Sequence, residues 1–236
     1  MKNKYIDLMT SIAIVLCAML TIDSVSASNQ PMTAEELEEW FNSDEVPVDP
    51  LKLINEGNLV FLKQEPERKA HQAKHILTIL PDSLHNGWVM LEQCHENLDV
   101  MPSAQVVFIG KRVRNLEIIS SNHISKAWIR DDTIQLKNIA RHARLCLRVE
   151  TKALYKHANG QYSLRIGPYQ RKFLDGYFPM NLQLTINYPE DILTFKHLTP
   201  KTQDGFSIEE NIDSLKISAL FEGRLNLDIL FNEKPL

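Results

Sequence analysis

Residues 215–231 read LKISALFEGRLNLDILF, and this stretch decides the fold class. Leu215, Ile217, Ala219 and Phe221 alternate with other residues, and Leu225, Leu227, Ile229 and Phe231 repeat the pattern. A side-chain period of two places one apolar set on one face of a β-strand. Between the runs stands Glu222-Gly223, a connection suited to a tight hairpin of adjacent strands. Working outward, Leu182, Leu184, Ile186 and Tyr188 alternate with Asn181, Gln183, Thr185 and Asn187 in the same way.

Shorter strand-like runs fill the middle of the chain, at 59–63, 74–80, 87–93, 105–109, 115–119, 124–129, 132–137, 144–151, 161–166 and 192–198. Asp131-Asp132 and Asn159-Gly160 mark turns between neighbours. Residues 138–146 fit a helix face or a strand, and Leu145, Leu147 and Val149 favour a strand from about 144. The expected architecture is mainly β, an antiparallel β-sandwich or curled sheet, with a short N-terminal helix.

That helix is marked at Thr33, which can cap it, with Glu36 completing a capping box and Leu37, Trp40 and Phe41 sharing one face. Before it, Lys2 and Lys4 precede an apolar core at Ile12–Ile22, and Val25 and Ala27 sit where a signal peptidase reads small residues. The expectation is a signal peptide over 1–27, cleaved near Ala27, an acidic helix and linker over 28–57, and a β-rich domain over 58–236. The mature chain would then be periplasmic or secreted, with no transmembrane segment. Cleavage leaves only Cys94 and Cys146, and an oxidising compartment favours a disulfide between them.

Charge is unevenly distributed. Ser28–Asp99 carries 5 Lys+Arg against 14 Asp+Glu, whereas Val100–Asp175 carries 14 against 5. A basic middle shared on one face would attract anions; basic strands paired with acidic ones would cancel. Residues 159–179 (NGQYSLRIGPYQRKFLDGYFP) combine arginine, tyrosine and glycine, a composition suited to binding loops. Arg165, Tyr169, Arg171, Lys172 and Tyr177 are the candidate ligand-binding residues.

Four histidines fall early, at 71, 75, 85 and 95, and His71 and His75 lie two alternations apart on one strand face. With His95 they form a candidate zinc or copper set. GxSxG, SxxK, HExxH and Gly-rich phosphate loops are absent from the sequence. The first expectation is a non-enzymatic binding or accessory role, without cofactor, holding an anionic envelope component or a partner protein, and no nucleic acid. A metal-binding protein built on His71, His75 and His95 comes second, and an enzyme acting on envelope glycans third.

Overall fold

The computed structural model describes residues 33, 55–67, 70–108, 112–174 and 176–235. The expected signal peptide lies outside the described residues, as does the expected N-terminal helix apart from its capping Thr33. The described strands all belong to one compact unit, Asp49–Leu236.

Apolar alternation builds most of the chain into sheets. The larger sheet has nine strands and contains β2 (His71–Thr78), β3 (Trp88–Glu96), β4 (Met101–Val107), β5 (Val113–Arg130), β6 (Thr133–Lys152), β11 (Met180–Asn187) and β14 (Ser214–Glu222). Two short strands, β1 (Val60–Phe61) and β13 (Phe206–Glu210), pair with β14. A four-stranded sheet runs in the order β12 (Leu193–Thr199), β15 (Leu225–Glu233), β8 (Gln161–Tyr169), β7 (Leu154–Lys156). β9 (Lys172–Phe173) and β10 (Gly176–Tyr177) form a two-residue ladder. Among the described residues, pairing is antiparallel except at one seam, where β2 runs parallel to β11. The only helical turn among the described residues is α1 (Ser83–Asn86), ended by Gly87 in the left-handed conformation. The mainly antiparallel β expectation therefore holds, and none of the sheets closes among the described residues.

Both larger sheets contribute to one core. Leu182, Leu184 and Ile217 of the large sheet and Leu164, Leu227 and Ile229 of the smaller one are buried in the same cluster. Tyr188 meets Phe231 across it with ring centroids 5.1 Å apart.

Three local expectations change. β14 and β15 do not form a hairpin: β14 pairs with β11, and β15 pairs with β8 and β12 in the other sheet. The chain turns from one sheet to the other at Gly223, which has φ 86°. A Cβ there would overlap the Asn58 carbonyl, so glycine is required by both conformation and space. The four runs at 115–119, 124–129, 132–137 and 144–151 are two long strands, β5 and β6. Bulges disturb their alternation near Asn115 and His123 in β5, and Asn138 and His142 in β6 share the positive φ of those residues. Residues 138–146 are strand throughout.

Cys94 and Cys146 stand directly opposite each other in β3 and β6 and are joined by a disulfide, as the cysteine count implied. On the same face, Glu96 pairs with Arg144 at 3.4 Å and Glu92 with Arg148 at 2.9 Å, so the disulfide sits between two ion-pair rungs. Gln93 and His95 alternate with these residues and point to the opposite, buried face.

Candidate functional site

On β2 the inward positions are His71, Ala73, His75 and Leu77, and on β3 they are Leu91, Gln93 and His95. The register sets Ala73 opposite His95 and His75 opposite Gln93. Ala73 is the smallest inward residue of β2. The His95 ring therefore occupies the space above it, between the two histidines that flank it on the neighbouring strand. Its ring centroid lies 5.2 Å from that of His71 and 5.3 Å from that of His75. Strand pairing thus assembles three histidines that are 24 residues apart at the extremes.

Two of the three rings are locked in a hydrogen-bond chain. His95 Nε2 lies 3.3 Å from Gln93 Oε1, an acceptor, so that nitrogen donates. His95 Nδ1 is then an acceptor and receives the proton of His71 Nε2 at 3.0 Å. His75 is left out: neither of its ring nitrogens has a partner, and its side chain is 2% exposed. From the facing sheet, Tyr169 at the end of β8 brings its ring within 5.3 Å of His75, and its hydroxyl is likewise buried and unpartnered.

All three histidines are held uncharged. Burial is the main cause for each, since removing an imidazolium from water disfavours the charged form. The His71 value falls to about 4, helped by the Arg171 charge and then by His75. His95 falls to about 3, with His71 as the secondary cause. His75 lies well below its ordinary value, with His95 as the secondary cause. Burial raises the Tyr169 hydroxyl above its ordinary value.

These groups line a cavity of about 690 Å³. Its remaining walls are largely apolar and include Leu91, Leu98, Met101, Val106, Phe108 and Ile139. Near the histidines, Arg171 forks Asp99 with two hydrogen bonds and donates a third to the Pro179 carbonyl at 3.0 Å. An apolar body with a few convergent polar groups and shifted titrations is the usual form of a small-molecule site.

The candidate residues divide clearly. Arg165, Tyr169, Arg171 and Lys172 line this cavity together with His71, His75 and His95. Tyr177 does not: it is 8% exposed and packs beneath Arg224, whose guanidinium lies 5.2 Å from the ring centroid, with the Lys172 ammonium at 5.7 Å. His85 lies apart from the cluster, in α1. Among the described residues, no three His, Cys, Asp or Glu side chains stand together as a metal cage.

Part of the basic middle of the chain is neutralised by ion pairs. Arg114 pairs with Glu150, Arg148 with Glu92 and Glu117, Lys156 with Glu233, and Arg165 with Asp228. Sequence reasoning passed over Gln93 and Ala73. The signal for both was their place on the inward alternation, two residues from a histidine. No protein-family model matches the chain, and no curated protein matches it.

Proposed function

We propose that the protein is an exported binding or accessory protein of the cell envelope. In this reading it holds a small amphipathic ligand between the layers of a β-sandwich and does not transform it. One observation carries the reading: four of the five candidate binding residues and all three candidate histidines converge on a single cavity whose remaining walls are largely apolar. The ion pairs along β3, β5 and β6 weaken the alternative of a broad basic docking face. Arg171 and Lys172 line the cavity beside the histidines, and Arg171 is itself paired with Asp99.

The test is saturable binding of N-phenyl-1-naphthylamine, a dye that fluoresces in apolar pockets, to the purified protein. One site per chain is expected. Ala104→Phe, which would fill the cavity from β4, should weaken binding roughly tenfold. Absence of saturable binding, or indifference to Ala104→Phe, would remove the reading.

A second reading rests on the clustering of three imidazoles, the His95 ring centroid lying 5.2 Å from that of His71 and 5.3 Å from that of His75, because neutral histidine is the form that ligates metal. It requires zinc or copper bound one per chain after purification and dialysis, and lost in His75→Phe. Protein that carries no metal and takes none up on titration would end this alternative.

A further inference from the structure

We propose that the histidine end of the cavity selects a ligand whose head group is uncharged and both donates and accepts hydrogen bonds. A hydroxyl or amide on an aliphatic body would fit, read by His75 and Tyr169. This rests on the cavity being a ligand site.

Three buried polar atoms, His75 Nδ1, His75 Nε2 and Tyr169 Oη, have no hydrogen-bond partner, and their two rings are 5.3 Å apart. Leaving such atoms unsatisfied is unfavourable, and folded proteins seldom tolerate several together. The same fold satisfies an imidazole one strand away, where His95 is bonded on both nitrogens. Gln93, directly opposite His75, is already engaged by His95. Leu184, opposite His75 on the other side, offers no polar side chain. His75 and Tyr169, the two residues that carry the orphaned atoms, are among those that line the cavity.

The chemistry of these atoms defines the head group. A neutral imidazole presents one donor and one acceptor, and a phenol presents both functions on one oxygen. Their complement is a group with the same dual character. A carboxylate or phosphate offers no donor; of the two cations at this end, Arg171 is engaged by Asp99 and the Pro179 carbonyl, and the Lys172 ammonium lies over the Tyr177 ring, 5.7 Å from its centroid. An ammonium offers no acceptor, and the Asp99 carboxylate is held by Arg171. The aliphatic body follows from the walls beyond the histidines, at Leu98, Met101, Val106 and Phe108.

The experiment is displacement of N-phenyl-1-naphthylamine from the purified protein at neutral pH. The competitors are 1-monolauroylglycerol, laurate and N-acetylglucosamine, tested on wild type, Tyr169→Phe and His75→Phe. Wild type should bind monolauroylglycerol roughly tenfold tighter than laurate and should not register the free sugar. Tyr169→Phe should weaken monolauroylglycerol about fivefold to tenfold relative to the dye, the worth of one hydrogen bond. His75→Phe should act in the same direction. Laurate binding as tightly as monolauroylglycerol would overturn the head-group inference while the cavity reading stands. An unchanged affinity in Tyr169→Phe, or a crystal structure in which ordered waters alone satisfy His75 and Tyr169 and monolauroylglycerol does not displace the dye, would do the same. Failure of the dye itself to bind would remove both.

Discussion

Arg171 holds Asp99 by both carboxylate oxygens, Nε donating to one at 2.9 Å and Nη2 to the other at 2.6 Å. The pair fastens the segment after β8 to the segment between β3 and β4, and both flank the histidine end of the cavity. Planar, two-pronged geometry is what separates arginine from lysine here. Arg171→Lys should lower unfolding free energy by about 1 kcal/mol, and Arg171→Ala by about 2 kcal/mol, because the Pro179 carbonyl loses its donor as well. Urea titrations of the two variants and of Asp99→Asn, combined as a double-mutant cycle, check this. Full additivity would mean that the fork contributes nothing to stability.

The disulfide encloses a sequence separation of 52 residues. Chain-entropy reasoning assigns a loop of that length about 4 kcal/mol. The paired variant Cys94→Ala/Cys146→Ala should lose stability on that scale in urea, and reductant should lower the wild-type midpoint but leave the variant unchanged. Intact mass with and without reductant should differ by two hydrogens.

Acid should loosen the protein through its histidines. Their folded-state values lie below the ordinary 6.5, at about 4 for His71 and about 3 for His95. Below about pH 6.5 the unfolded chain binds protons that the folded chain refuses, so stability is full above that point and falls as pH drops toward the folded-state values. The loss between neutral pH and about pH 4 should reach a few kcal/mol. His75→Phe should show a smaller loss, because the His75 value is also lowered. Urea midpoints against pH for both proteins provide the comparison. Equal slopes would place the acid sensitivity elsewhere.

Removing an unsatisfied group should not weaken the fold. Tyr169→Phe deletes an orphaned hydroxyl and keeps the ring against His75, so stability should be unchanged or rise by up to about 1 kcal/mol. Phe231→Ala, a fully buried aromatic without such a defect, should cost about 3–5 kcal/mol. Thermal melts distinguish the two outcomes. A large loss in Tyr169→Phe would show that the hydroxyl has a structural partner.

What could be read from the sequence followed its period. β11, β14 and β15 alternate without interruption, so their extent and buried faces were legible. β5 and β6 were not, because Asn115, His123, Asn138 and His142 adopt positive φ and the long strands read as fragments. The order of strands was also hidden. Glu222-Gly223 has the length of a hairpin turn, yet the chain crosses between sheets there, a choice made by the packing of Gly223 against Asn58. His71 and His75 could be placed on one face from spacing alone. That His95 joins them depends on the β2–β3 register and on the small side chain of Ala73, which are facts of tertiary pairing. Arg165, Tyr169, Arg171 and Lys172 were found by composition, and Tyr177 shares that composition but not the cavity.

The single parallel seam between β2 and β11 divides the large sheet into two blocks of consecutive antiparallel pairing. One block comprises residues 71–152. The other comprises β11, β13 and β14 with β1. His71 and His75 lie on the seam, opposite Met180 and Leu184. The histidine end of the cavity therefore lies over the joint between two antiparallel blocks. An occupant that touches β2, β8 and Met180 at once would suture that joint. Amide exchange along residues 71–78 and 180–187 would then slow together on binding, while exchange inside each block kept its own pace.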